Sequence, residues 1–514
     1  MRLSSRHPRP RRSPCLPVRA VAAGAATVLL AASALPAQQQ VSPDWAAFDR
    51  YVAQAAKDWH VPGLAIAVVK GDSLVFAKGY GVETLGAAAP ATEHTRFAIG
   101  STTKAMTTAA LAMLVDEGKV RWDDRVIDYL PDFQLQDAYA TRELTIRDLL
   151  THRTGLPGTD LLWVVPENQY TIAEMAHRLR YVTPVSSFRS TWAYQNVVYS
   201  IAGLLVEKIS AVPWETFVRT RLFTPLGMTE TVPLVSAIRG QPHVGTPHAE
   251  VNGVVEVVPM RSTDAVAPAG SVWSSVWDMS KWMRFMLDSG RVGTRRLIAP
   301  ATFREIIAPQ IRVPMEEYPA LELAQPHFFS YALGWFVQDY GGETVWMHTG
   351  SIDGESAIIG LEPAQRVGVY VLANLDHAEL RHALMYRAFD LYRAGPPRDW
   401  SAAVRTLFAE RRGARPATVH ATGTHASLPL DRYAGTYTDS AYGSIVVAAE
   451  GTGLHARYER ADLGMLEQWE YDSFRAPPKR AGEGPTTLTF VTNGAGVVTA
   501  VQLYGNSFPR ARPR

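Results

Sequence analysis

The chain has 514 residues, 47% of them hydrophobic and only 19% charged, which excludes a disordered protein or a coiled coil. At ~100–200 residues per domain, the length suits one large domain with a smaller one, or two to three ordinary ones. A formal charge of +2 with no basic stripe excludes a nucleic-acid partner, and 38 Gly and 34 Pro without a Gly-x-y period exclude collagen.

Residues 1–37 carry Arg2, Arg6, Arg9, Arg11, Arg12 and Arg19 and no acid. An apolar run follows from Val21 to Leu35, and Ala32-Ser33-Ala34 and Leu35-Pro36-Ala37 offer small-residue cleavage sites. This order predicts a signal peptide over 1–37 and export to the periplasm or the exterior. The run is shorter than the ~20 residues a membrane span needs, so no span is expected after cleavage. Arg11-Arg12 stands where a twin-Arg signal would, although the residues after it match poorly. Without those six Arg the charge is −4 (+2 less 6), and Cys15, the one cysteine, leaves as well. The mature chain therefore has no disulfide, thiol nucleophile or Cys-ligated metal.

Ser42-Pro43 reads as a helix cap, with Trp45, Phe48, Val52, Ala55 and Trp59 forming one apolar face. Leu64–Val69 and Leu74–Lys78 flank Gly71-Asp72 as a hairpin. A helical, loop-rich stretch over roughly 100–290 follows. Residues 331–335, 343–348, 356–361 and 367–374 read as further strands, with a turn at Glu362-Pro363. A helix from about His377 to Arg393 stops at Gly395-Pro396-Pro397. Strands at both ends of about 350 residues predict an α+β fold: an antiparallel sheet flanked by terminal helices, with a helical subdomain inserted.

Beyond Pro397, a linking helix over Asp399–Arg412 and a Gly/Ala/Thr/His linker over 413–427 precede a small all-β unit. Tyr433–Tyr437, Ser444–Ala448, Thr487–Val491 and Val497–Tyr504 are its predicted strands, forming a sandwich or barrel. The expected division is 1–37 signal, 41–396 catalytic domain, 397–428 helix and linker, and 429–514 β-barrel-like domain.

Ser101-Thr102-Thr103-Lys104 opens a helix closed by Gly118, placing Ser101 and Lys104 on one face. A serine hydroxyl needs a base within reach, and a lysine serves if burial lowers its pKa from ~10.4. With 28 Ser and eight Lys, chance gives about half an S-x-x-K in such a chain. Tyr194-Gln195-Asn196 adds a proton relay and an amide donor, and His348-Thr349-Gly350 lies in a predicted strand. Y-x-N also occurs at Tyr504-Gly505-Asn506, read as a strand end. All three motifs in this order form roughly a one-in-a-hundred accident. No serine lies in G-x-S-x-G, and no H-E-x-x-H occurs, so an α/β-hydrolase and a zinc peptidase are set aside. No metal or other cofactor is expected. Asp148, His152 and Arg153 are assigned to structure, and Trp273, Trp277 and Trp282 to the core.

These three motifs resemble the signatures of the serine β-lactamase and penicillin-binding-protein superfamily, nearest its class C-like branch of DD-peptidases, D-aminopeptidases and esterases. Pro62–Ala65, Phe97–Gly100, Thr145–Leu156, Ala269–Ser271, Tyr331–Trp335 and Gly350–Gly354 extend the likeness over about 44–395. The tail more loosely resembles the lipocalin-like domains that follow such enzymes. The resemblance implies Ser101 as nucleophile, Lys104 as its partner and Tyr194 as general acid/base. It implies Asn196 as a substrate contact and the Ser101 and Ser351 N–H groups as an oxyanion hole, with His348, Thr349 and Gly350 along the substrate strand. Lys104 and Tyr194 both stand open as the acylation base. Histidine at 348, where class C β-lactamases carry lysine, titrates near ~6.5 and turns the expectation toward peptide, amide or ester substrates. β-Lactam hydrolysis comes second, and a slowly acylated penicillin-binding sensor is the non-enzymatic alternative. A small-molecule or peptide partner is expected; the oligomeric state is not readable.

Overall fold

The computed structural model describes residues 42–165, 170–396, 398–414, 420–478 and 484–512. The signal predicted over 1–37 lies outside the described residues, as do Pro397 and residues 415–419 of the predicted linker. Helix α1 spans Trp45–Asp58. Its cap is Asp44 rather than Ser42-Pro43: the Asp44 carboxylate accepts the Ala47 N–H at 2.9 Å. An acid there meets an orphan N–H and the positive end of the helix together.

The main sheet comprises β1 (Gly63–Lys70), β2 (Ser73–Gly81), β3 (Ile311–Arg312), β4 (Phe329–Tyr331), β5 (Phe336–Tyr340), β6 (Glu343–Ile352), β7 (Glu355–Glu362) and β8 (Val367–Ala373). Their order is β2-β1-β8-β7-β6-β5-β4-β3, antiparallel throughout, so both ends of the region build one sheet as the strand pattern predicts. One prediction needs correcting. Residues 332–335 are the turn between β4 and β5, not a strand. Gly334 bends the chain there with φ +79°, and a Cβ on it would lie 2.5 Å from the Tyr199 hydroxyl.

Alternation along β1 shows why the strand is apolar throughout. Leu64, Ile66 and Val68 face a core shared with Phe48 and Val52 of α1 and with Leu380, Ala383 and Leu384 of a helix over Leu380–Asp390. Ala65, Ala67 and Val69 face the opposite core, built on α2 (Thr103–Asp116), α3 (Asn196–Ser210) and α4 (Val276–Leu287). A strand covered on both faces has no position for a polar side chain. Trp273 and Trp282 are buried in the cores, whereas Trp277 is partly exposed and packs on His94.

Beyond a helix over Trp400–Ala414, eight strands between Gly435 and Pro509 follow one another as an antiparallel, nearly closed barrel. Its last segment returns to its first, with the Ala511 N–H donating to the Thr436 carbonyl at 2.8 Å. Strands at Gly453–Tyr458, Ala461–Glu470, Ser473–Ala476 and Asn506–Pro509 were not foreseen; Gly464, Asp462 and the charged positions of 467–470 obscure their alternation. Tyr504-Gly505 is the turn joining the last two strands. Tyr433, Tyr437, Tyr458, Phe474, Phe490 and Phe508 fill the interior. Among the described residues no single helix is long and apolar enough to cross a membrane.

Asp148 ties the segment before the site together. It completes a capping box with Thr145, and it receives Arg153 Nε and an Arg189 guanidinium nitrogen, each at 2.6 Å. Burial alone would raise its pKa, but the hydrogen bonds of Arg189 and Thr145 and the charge of Arg153 outweigh that and hold it below the usual range. Replacing Asp148 with Asn leaves two arginines facing a neutral group and is expected to cost about 3 kcal/mol, read as a lower urea midpoint. In the wild type this contribution is full above the unfolded-state pKa of ~3.9 and is lost as pH falls below it.

Candidate active site

A turn of 3-10 helix, Gly100–Thr102, leads into α2 and puts Ser101 at the start of the helix. Helix α2 is almost wholly buried, which its sequence of Ala, Met, Leu and Thr permits, so the turn ahead of it is fixed. Thr102 strengthens the turn: its hydroxyl lies 2.9 Å from the Ile99 carbonyl and 2.6 Å from the Tyr370 hydroxyl. Two glycines let β6 lie against this turn. A Cβ on Gly100 would come within 2.7 Å of the Ser351 nitrogen, and one on Gly350 within 2.0 Å of the Ile99 carbonyl oxygen. Any larger residue would push the Ser351 N–H away from Ser101.

Lys104 is fully buried. Its Nζ lies 3.1 Å from Ser101 Oγ, 2.8 Å from Asn196 Oδ1 and 3.0 Å from the Ala269 carbonyl oxygen. Nζ also lies 4.6 Å from the centre of the Tyr194 ring. Burial drives the lysine pKa well below its ordinary value, with only the charge of Asp160 opposing the shift. Asn196 and Ala269 offer oxygens that can only accept. They therefore claim the two protons of a neutral amine, and the lone pair is left toward Ser101.

Tyr194 is half-buried and lies close enough to Ser101 for that hydroxyl to favour its ionised form. Loss of hydration raises its pKa well above the phenol range despite that contact, so it stays protonated. Its ring rests on His152, with centroids 4.4 Å apart. His152 Nδ1 accepts the Gln195 N–H at 3.1 Å, and Gln195 is anchored by Thr154 and by the Leu156 carbonyl. His152 was assigned to structure, and here it supports Tyr194 from beneath. Asn196 opens α3, and its amide nitrogen reaches both oxygens of Asp160 at 3.3 Å.

All of β6 from 348 to 351 borders this cluster, but the side chains differ in what they present. His348 is buried, with Nδ1 2.6 Å from the Thr349 carbonyl oxygen and Nε2 2.9 Å from the Tyr331 hydroxyl. Nδ1 therefore carries the proton and Nε2 accepts. Burial, aided by the guanidinium charge of Arg381, lowers its pKa to about 3. No cation stands at this position at neutral pH, which sharpens the difference from lysine noted in the sequence. Thr349 Oγ1 lies 2.7 Å from the Tyr318 hydroxyl. Arg381 braces the strand by donating to the Gly350 carbonyl at 2.6 Å and to Ser351 Oγ at 2.8 Å.

Sequence reasoning missed Asp160, Ala269, Tyr318, Tyr331 and Arg381 as partners of the motifs. Each reaches the site by a tertiary contact; Asp160, Tyr318 and Arg381 sit in no short pattern, and Ala269 and Tyr331 lie in segments that extend the family likeness without a role attached to them.

The Beta-lactamase family model matches residues 48–392, the stretch that holds this cluster. The chain belongs to the Beta-lactamase family. A second model, a domain of unknown function (DUF3471), matches 420–512. An unguisins hydrolase from Aspergillus violaceofuscus is 29% identical, over 88% of this chain and 87% of its own length. The octameric penicillin-binding protein homologue from Pyrococcus abyssi shares the fold with a TM-score of 0.61 at 21% identity, over 90% of this chain and 99% of its own. A class C β-lactamase from Rhodobacter sphaeroides aligns with a TM-score of 0.53 at 20% identity, over 67% and 98% of the two chains. The likeness read from the three motifs therefore holds for both family and fold.

Within this Beta-lactamase-family site, the imidazole signals of His348 are expected to stay those of a neutral ring from pH 8 down to pH 5, followed by NMR. An unfolded histidine gains a proton near pH ~6.5 and the folded one does not, so His348 costs stability as pH falls below that point.

Proposed function

We propose that this hydrolase of the Beta-lactamase family is an exported serine acyl hydrolase, working through an acyl-enzyme at Ser101 on peptide, amide or ester substrates. The observation that carries the reading is the 3.1 Å contact between Lys104 Nζ, wholly buried and with its pKa pushed down by that burial, and the Ser101 hydroxyl at the start of α2. The name of the Aspergillus relative supports a hydrolase. Export rests on the basic, apolar and small-residue order of residues 1–37 alone.

In this reading the Ser101 proton passes to the Lys104 lone pair as Oγ bonds to the substrate carbonyl carbon. The carbonyl oxygen takes up negative charge and accepts the N–H groups of Ser101 and Ser351. When the tetrahedral centre collapses, the bond to the leaving nitrogen or oxygen breaks. The leaving atom takes the Tyr194 hydroxyl proton, and the proton held by Lys104 passes to the Tyr194 oxygen and restores that hydroxyl. Water then adds to the acyl ester and gives its proton to the same amine, and the acid departs as Ser101 regains its hydrogen. Asn196 orients the substrate carbonyl side, Thr349 and Gly350 pair with it along β6, and the neutral His348 holds the strand in place.

β-Lactam turnover stands second, because the neutral His348 supplies no cation for the antibiotic carboxylate.

Intact mass after fluorophosphonate treatment tests the nucleophile. One adduct is expected on the wild type and none on Ser101→Ala; labelling of both proteins, or of neither, overturns the assignment. A penicillin adduct that forms and clears would raise β-lactamase to first place, and one that persists would favour the sensor. Lys104→Ala is expected to lower kcat/KM on an activated ester by about a thousandfold, and Tyr194→Phe by about a hundredfold or more. For the wild type, kcat/KM should fall as pH drops through the depressed Lys104 pKa, and this acid limb should be absent in Lys104→Ala.

A further inference from the structure

His152 has no part in the proton transfers, yet it meets the chain around Tyr194 at three points. Its carbonyl accepts the Ala193 N–H at 2.8 Å, and its Nδ1 accepts the Gln195 N–H at 3.1 Å. The residues before and after Tyr194 are therefore bonded to one and the same residue. Between these anchors the imidazole lies against the Tyr194 ring, with centroids 4.4 Å apart and planes inclined at 38°. Asn196 follows directly and opens α3, so the anchored stretch also leads into the amide that bonds Lys104.

Packing alone does not explain a histidine at this position. Its backbone has φ +56°, in the left-handed region that few residues with a Cβ adopt. The ring is fully buried among those of Tyr194, Tyr199, Tyr331 and Trp192. A backbone N–H can only donate, so Nδ1 is bare and the ring proton sits on Nε2. Among the described residues Nε2 has no hydrogen-bond partner. A phenyl ring would fill the same space without stranding an N–H. What the imidazole adds is one acceptor, and it meets the N–H of Gln195, itself a fully buried residue. Backbone strain and an unpaired donor kept together beside reacting groups point to function.

His152 is in turn held in place. The Arg189 N–H donates to the Arg153 carbonyl at 2.8 Å, and Arg153 is bonded to the buried Asp148 at 2.6 Å. This rigid base reaches Tyr194 through His152. A shift of ~1 Å in a reacting group costs about a hundredfold in rate, so an anchor of this kind matters to the chemistry.

We propose that His152 is the positioning residue of Tyr194: through its bond to the Gln195 N–H it fixes the phenol in line with Ser101 and the leaving atom. It gives and takes no proton itself. The proposal rests on the acyl-hydrolase reading above, in which Tyr194 protonates the leaving group.

Two variants of similar polarity separate the bond from the bulk. His152→Asn keeps an acceptor oxygen where Nδ1 stands and tolerates the left-handed backbone. His152→Gln carries its amide one carbon further out, away from the Gln195 N–H. On an activated ester, kcat is expected to fall by about thirtyfold or more in His152→Gln and by less than about fivefold in His152→Asn, with KM within about twofold in both. In a Tyr194→Phe background, His152→Gln should lower kcat by no more than about twofold further, since the group it positions is gone. A merely structural residue would lower both backgrounds by the same factor. Equal losses in the Asn and Gln variants, or the full loss repeated in the Tyr194→Phe background, would overturn the proposal. If His152→Gln does not fold, His152→Asn decides: a kcat within about fivefold of the wild type supports the proposal, and a larger loss with an unchanged melting curve overturns it. Hydrogen exchange over residues 191–198, read by mass spectrometry, needs no turnover. The slow Gln195 amide should survive in His152→Asn and be lost in His152→Gln. If the wild type turns over no ester, the hydrolase reading falls by itself and the exchange decides for His152: an amide equally slow in all three proteins refutes the positioning.

Discussion

Lys104 is an amine taken out of water and surrounded by three oxygens, and much of the structure exists to keep it there. A lysine is ordinarily charged and hydrated, and removing it from solvent stabilises the neutral form. The buried helix α2 supplies the dehydration, and the Ala269 carbonyl and the Asn196 amide fix the direction of the nitrogen. Ser101 is then the one partner of Lys104 able to give up a proton. Asp160 tempers the arrangement, since its negative charge pulls the lysine pKa part of the way back.

The opposite shift at Tyr194 completes the division of labour. The same dry surroundings that deprotonate an amine keep a phenol protonated, so two groups with similar ordinary pKa values hold different states side by side. The sequence leaves the acylation base open between them, because both need large shifts and a sequence carries no dielectric. Burial separates them. The neutral His348 belongs to the same effect: three titratable side chains around one serine are each moved toward their uncharged form.

Local patterns carried the fold where one rule decided it. The Gly71-Asp72 turn, the strands ending at Ala373 and the helix after Ser101 follow from period and turn chemistry and stand as read. Reading failed where a tertiary contact overrode pattern. Ala332–Trp335 alternates like a strand, yet Gly334 folds back under Tyr199. The helix cap moved to Asp44, where a carboxylate meets the Ala47 N–H. Half of the barrel strands were hidden by polar residues on the solvent side. In the site, the motif residues were legible, and Asp160, Ala269 and Arg381, which orient them, were not.

The pairing of β1 with β8 has a kinetic side. Gly63 is bonded to Asn374, 311 positions further along the chain, and Leu64 stands opposite Ala373. During synthesis the first hairpin emerges with one apolar edge bare, and no partner for it exists until some three hundred more residues have been made. Closing so long a loop costs more chain entropy than closing the hairpin, so the pairing of β1 with β8 forms later than that of β1 with β2.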